Sequence, residues 1–342
     1  MRTPRPIALL LTSLLVGGLL VSSAGTAAST ERRGHGYRSW LRGSPIDVHP
    51  ATRGGAMLAG GAYDRATAWR WFLEHAGYGD IVIVCATCDA VYNPYVFNLH
   101  EVDSAQTLKL TKRVAASDPF VLASLTGADG IFIAGGDQSD YLRVWKDSPV
   151  EDAINDAIAR GVPIGGISAG LAIQGEFLFS AEKNTITSDR ALLNPYNNKV
   201  TVRRDMLRVP HLAATITDSH FSERRRQGRL LTFMARTIAD GWTDQVRGIG
   251  VDEATAVLLE ADGTARVVGP GAGWFLRMRE ADVLTCADGQ PLETRAIDIV
   301  GVHRGDVFDL TSWSGNGERR TIRAADGAVV WDRSPTPAET DP

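Results

Sequence analysis

Short apolar runs alternate with helix-period stretches along the middle of this chain. Ala56-Met57-Leu58-Ala59, Ile81-Val82-Ile83-Val84, Ile131-Phe132-Ile133-Ala134, Val162 to Ile167, Ala214-Thr215-Ile216-Thr217 and Gly248-Ile249-Gly250-Val251 each read as a strand. Between them Ala66 to Ala76, Val150 to Ala159 and Arg224 to Ala239 carry the spacing of helices with one apolar face. Strands that are apolar almost throughout, separated by helices, predict a mostly parallel sheet covered on both faces, the α/β class. After about Thr255 the texture changes. Ala256 to Glu260, Ala265 to Val268, Trp274 to Met278, Thr294 to Val302 and Val307 to Leu310 are strands without long helices between them, separated by turns such as Ala261-Asp262-Gly263 and Asp288-Gly289. This predicts antiparallel β structure, either edging the sheet or forming a small appendage.

The ends differ again. Arg2 and Arg5 precede the uncharged apolar run Ile7 to Val21, and small residues Ala24, Ala27 and Ala28 follow. That order is a secretory signal peptide. The run is short of the ~20 residues that span a bilayer, and no later stretch is apolar enough to cross one, so a secreted chain with no membrane partner after cleavage is expected. The resulting plan is a signal peptide over 1–28, an extended, aperiodic lead-in over 29–54, the main α/β unit over 55–260, a β-rich extension over 261–332, and a Pro-rich, disordered tail over 333–342.

Composition narrows the function. Hydrophobic residues make up 44% of the chain and charged ones 22%, and 36 Lys+Arg against 40 Asp+Glu leave a net charge of −4. No basic excess exists for a nucleic-acid backbone. Three cysteines do not make a disulfide scaffold. Cys85 and Cys88 form Cys-x-x-Cys directly after a strand, which admits a redox or metal reading, but no second Cys pair exists and Cys286 stands alone, so a local disulfide or two half-buried thiols is the expectation. The seven histidines include no HExxH spacing, so no metal and no cofactor are expected.

Four segments fall at the C-terminal ends of predicted parallel strands, the edge where open α/β sheets build their sites. Gly166-Ile167-Ser168-Ala169-Gly170 is Gly-x-Ser-x-Gly between a strand and a helix, which suits a nucleophile elbow or, equally from spacing alone, a plain or phosphate-cradling turn. Gly135-Gly136-Asp137-Gln138 lets backbone amides approach a ligand, and the amides of Gly136 and Ala169 could together receive an oxyanion. In Asp218-Ser219-His220 the imidazole can take a proton near neutral pH. The arginines at 224, 225, 226 and 229 oppose the dipole of the helix they open and suit an anionic ligand, or a solvated face. In Gly250-Val251-Asp252-Glu253 either carboxylate could orient the histidine, and alternation along a strand permits only one.

Together GGDQ (135–138), GGISAG (165–170), DSHFSERRRQGRL (218–230) and GIGVDEATA (248–256) resemble, in that order, the cyanophycinase-like branch of the S51 serine peptidases. The resemblance spans roughly residues 55–260. It implies a flavodoxin-like three-layer sandwich related to class I glutamine amidotransferases, and a metal-independent serine exopeptidase that cleaves next to aspartyl residues. By position it implies Ser168 as nucleophile, His220 as base, Glu253 as third member with Asp252 in reserve, and Gly136 and Ala169 as oxyanion-hole amides. Gln138, Asp218, Arg224, Arg226 and Arg229 match the substrate pocket of enzymes that release β-Asp-Arg dipeptides from cyanophycin. Relatives of this kind are often dimers, so the resemblance points to a homodimer. Ser219 departs from the pattern, where the residue before the base is usually Gln, and this sets cyanophycin beside other aspartyl peptides as substrate. Two other readings remain at this level: an α/β-hydrolase-type esterase using Ser168, Asp252 and His303, and an inert exported binding protein on the same scaffold.

Overall fold

Residues 30–62 and 66–332 are described by the computed structural model; the predicted signal segment and the tail from 333 lie outside them. Five strands form a parallel block in the order Ser104–Leu110, Asp80–Cys85, Gly130–Ile133, Ile164–Ile167 and Ala56–Ala59. Their side chains alternate between two apolar layers. Met57, Ile81, Ile83 and Phe132 pack with Trp69, Phe72 and Leu73 of the helix Ala66–His75. Leu58, Val82, Val84, Ile131 and Ile133 face the helices Pro119–Thr126, Gln138–Trp145 and Pro149–Ala159 on the other side. Strands buried on both faces have no need of polar positions, which is why their sequences read as unbroken apolar runs. The α/β class and the helix-covered, mostly parallel centre are as the pattern predicts.

The single sheet is not. Thr215–Asp218 and Gln245–Val251 run parallel to each other in a second sheet, beside Phe177–Phe179. Local pattern specifies a buried strand but not the sheet it joins, because that depends on neighbours distant in sequence. The change occurs after Ser168: the helix Ala169–Ala172 is a single turn, and the chain then enters Phe177–Phe179. The helix Gln227–Ala239 covers this sheet, burying Leu230, Leu231, Phe233 and Met234 against Ile216, Val246 and Leu276. It starts three residues later than the pattern suggests, so Arg224 to Arg226 lie in the turn that leads into it.

The C-terminal strands divide between the two sheets. Ala256–Leu259 pairs antiparallel with Ala56–Ala59 and carries Thr264–Val268, Val307–Asp309 and Ser314–Gly315 outward along the first sheet. Gly273–Arg279, Ile297–Val302, Glu318–Ala325 and Ala328–Asp332 extend the second. The lead-in also departs from expectation. Thr30–Gly34 and Tyr37–Gly43 form a hairpin paired with Ser104–Leu110. Its arginines hide the strand pattern, since the guanidinium groups of Arg38 and Arg42 lie over the rings of Trp40 and Phe97. No helix among the described residues is long and apolar enough to cross a membrane.

Candidate active site

Ser168 leaves the strand Ile164–Ile167 at φ 55°, ψ −110°, a conformation few side-chain-bearing residues adopt. Its flanking glycines are steric requirements. A Cβ on Gly166 would stand 2.4 Å from the carbonyl oxygen of Gly170, and one on Gly170 would stand 2.1 Å from that of Ile133. The turn is therefore the sharp strand-to-helix elbow that pushes a serine hydroxyl clear of its backbone.

Ser168 Oγ lies 2.8 Å from His220 Nε2, and His220 Nδ1 lies 2.5 Å from Glu253 Oε1. The imidazole reaches across from the second sheet. His220 follows the strand Thr215–Asp218, and its amide donates to Gly60 O at 2.8 Å. A Cβ on Gly61 would stand 2.3 Å from His220 Cε1, so the glycine pair ending Ala56–Ala59 forms the shelf for the ring. The loop bearing Glu253 is tied to the same shelf, through Ala254 N to Gly61 O at 2.8 Å and Gly60 N to Thr255 O at 2.9 Å. The apolar pattern that marks Ala56–Ala59 as a strand does not reveal this role of Gly60-Gly61. The signal was its likeness to Gly135-Gly136, the same doublet at the same sheet edge.

Asp252 points the other way and is buried, accepting from Ser222 N, Ala272 N and Trp274 Nε1, each at 3.0 Å. His303 is exposed, its ring edge-on to Trp274 at 6.4 Å. The esterase arrangement of Ser168 with Asp252 and His303 is thus not assembled. Burial pushes the His220 pKa down from its ordinary value; the hydrogen bond with Glu253 opposes this, and the charges of Arg224 and Arg226 add to the lowering. The ring is accordingly neutral at neutral pH and able to accept a proton.

Ser168 opens into a cavity of about 340 Å³ that Gly136, Ala169, Gln138, Arg224, Arg226 and Arg229 also line, with Asp137 beside them. Gln138 Nε2 donates to Phe179 O at 3.1 Å. Among the described residues neither the Gly136 nor the Ala169 amide donates to a protein acceptor. Asp218, matched by position to substrate binding, is not among the lining residues. It is 2% exposed and stands behind the arginines, taking Arg229 Nε at 2.7 Å, Arg229 Nη2 at 2.5 Å and Arg226 Nη1 at 3.3 Å. Burial alone would raise its pKa, but the charges of Arg229 and Arg226 outweigh burial and hold it below the ordinary carboxylate value. Burial pushes Arg226 down to about 10, against the pull of Asp218. Arg224 is freer: its side chain is half exposed and its nearest carboxylate, Glu253, lies 3.6 Å away. Cys85 and Cys88 are joined as a disulfide, which settles their alternatives in favour of the local bridge.

A serine on a strained elbow, a histidine hydrogen-bonded to it and a carboxylate behind the histidine define the class of serine hydrolases. The sequence profile of peptidase family S51 matches residues 93–267, just over half of the chain. The chain belongs to peptidase family S51 and is a serine peptidase. It is 28% identical over 233 residues to a cyanophycinase of Trichormus variabilis, covering 65% of this chain and 73% of that one. To a cyanophycinase of Synechococcus elongatus it is 27% identical over 276 residues, 77% of this chain and 81% of the relative. A peptidase E of Shewanella denitrificans is 27% identical over 177 residues, 52% and 68% of the two chains. In fold it is similar to a peptidase from an acI-B1 Actinobacterium, with a TM-score of 0.52 and 15% identity over 76% of this chain and 98% of the other.

Proposed function

We propose that this serine peptidase is exported by its N-terminal segment and hydrolyses peptide bonds next to aspartyl residues; relatives to which it is similar are named cyanophycinases. Ser168 attacks the carbonyl carbon, and His220 Nε2 takes the serine proton and returns it to the leaving amine. Glu253 holds the ring through Nδ1 and stabilises the imidazolium. The tetrahedral oxygen sits between the amides of Gly136 and Ala169.

The observation that carries the aspartyl preference is the cavity wall beside Ser168. Arg224, Arg226 and Arg229 bring three positive charges to it, and buried Asp218 balances only part of them. A guanidinium matches a carboxylate bidentately, so the wall suits a substrate with an acidic side chain next to the cleaved bond. Gln138, on the same cavity wall, would meet a substrate nitrogen. The test is to offer the mature protein cyanophycin, α-aspartyl dipeptides and isoaspartyl dipeptides, with asparaginyl counterparts, and to identify products by mass. Cleavage of aspartyl but not asparaginyl substrates is expected, with Ser168→Ala inert. Equal turnover of both sets would overturn the proposed specificity.

A further inference from the structure

The Gly135-Gly136 doublet turns the chain from the strand Gly130–Ile133 into the helix Gln138–Trp145, whose first turn is capped by Asp137 accepting from Ser139 N at 2.9 Å. Tyr141 stands one turn into this helix, fully buried, with its ring stacked on Trp145 at 4.4 Å. Its hydroxyl reaches back to the strand end, 2.7 Å from Ala134 O and 3.1 Å from Gly135 O. The second of these carbonyls belongs to the same peptide unit as the Gly136 amide.

In a trans peptide the C=O and N–H point in opposite directions. With the oxygen held at the Tyr141 hydroxyl, the N–H of that peptide unit points away from it, and Gly136 lines the cavity together with Ser168. The doublet lies against the serine: a Cβ on Gly135 would stand 3.6 Å from Ser168 Cβ. Its room to rotate is limited, since both the Tyr141 hydroxyl and Thr87 Oγ1 lie 3.1 Å from where a Gly136 Cβ would be. Thr87 itself sits in the loop closed by the Cys85–Cys88 disulfide.

We propose that Tyr141 is a positioning residue, whose phenol holds the Gly135 carbonyl and thereby aims the Gly136 N–H at the oxygen that becomes negative when Ser168 is acylated. This rests on the reading of Ser168 as nucleophile and Gly136 as oxyanion donor. The ring fills its site and stacks on Trp145 with or without the hydroxyl, whose single proton is shared between Ala134 O and Gly135 O at the strand end.

Tyr141→Phe keeps the ring and removes the anchor. The first measurement is the second-order rate at which a fluorophosphonate probe labels Ser168. In that reaction the Oγ–P bond forms, P–F breaks, fluoride leaves, the serine proton passes to His220, and the phosphoryl oxygen occupies the oxyanion position. Losing a whole oxyanion donor slows comparable reactions by about 10²–10³, so a misaimed donor is expected to slow labelling by roughly tenfold to a hundredfold. Rates are expressed per chain that labels to completion, so a misfolded fraction leaves them unchanged. The pH midpoint of labelling, set by His220, is expected to stay in place, and with aspartyl p-nitroanilide kcat falls while KM holds. A labelling rate within twofold of the wild type overturns the proposal, as does a loss that travels with a shifted pH midpoint or a raised KM. If the wild type labels no faster than Ser168→Ala, the nucleophile reading fails instead, and the two failures are distinct.

Discussion

Asp218→Asn removes the negative charge on which the arginine wall is built. Asp218 is buried at the end of the strand Thr215–Asp218 and accepts from both Nε and Nη2 of Arg229, from Arg226 Nη1 and from the Ser219 amide at 2.9 Å. Arg229 is itself only 3% exposed, so water cannot replace the lost carboxylate. An asparagine keeps the shape but turns a neutral amide toward a buried guanidinium. Breaking a buried ion pair by removing one partner costs about 3–5 kcal/mol, because the remaining charge stays desolvated. With ~2–4 °C per kcal/mol for domains approaching this size, the melting temperature at pH 7 should fall by on the order of 10 °C. The pH dependence follows from the direction of the shift. The folded pKa of Asp218 lies below its ordinary value of 3.8, so its contribution is complete above that value and is lost as pH falls through the lower, folded one. The gap between wild type and variant, followed by circular dichroism melts, is therefore full at neutral pH and closes in strong acid. A melting temperature within about 2 °C of the wild type at pH 7, under 1 kcal/mol on that scale, would show that the charge is not needed. So would a gap that persists unchanged into strong acid.

Three other outcomes follow from the site. The acid limb of kcat/KM should have its midpoint below 6.5, because burial lowers the His220 pKa; Glu253→Gln removes an opposing influence and should move the midpoint lower still, while reducing kcat by roughly 10²–10⁴ through loss of ring orientation, as a pH–rate profile would read. Gly61→Ala places a Cβ 2.3 Å from His220 Cε1 at a backbone φ of +113°, so activity should fall at least about 10²-fold through displacement of the ring, with fluorophosphonate labelling slowed in parallel. Replacing both Cys85 and Cys88 by serine opens a loop of sequence separation 3, and loop-closure entropy assigns about 2 kcal/mol to so short a ring, visible in thermal unfolding as a drop of a few degrees.

Much of the site was legible because its chemistry is local. Gly-x-Ser-x-Gly already suits an elbow, a reading the steric need for glycine at 166 and 170 bears out, and the His220 and Glu253 segments each follow an apolar strand. The choice between Asp252 and Glu253 was not legible. The strand Gln245–Val251 ends just before both and Glu253 stands in a turn, so which carboxylate meets the histidine depends on the distant segment whose Ala272 amide and Trp274 indole hold Asp252. The arginines suggested an anion site from their conflict with the helix dipole, but Asp218 read as a fellow ligand when it is their buried counter-ion. The hairpin Thr30–Gly34 and Tyr37–Gly43 escaped notice because arginines interrupt its buried Tyr37, Ser39 and Trp40, their guanidinium groups lying over Trp40 and Phe97.

By itself, then, the sequence determined the helix-covered parallel core, the order of the four motifs and the residue types at the elbow, because each arises from backbone sterics and burial within a dozen neighbouring residues. Only the tertiary structure decided that the histidine and its carboxylate come from a second sheet, that Gly60 and Gly61 seat the imidazole, and that Tyr141 reaches back to the Gly135 carbonyl. Those are contacts between segments far apart in the chain, and their geometry depends on how sheets and helices pack, which no local pattern encodes.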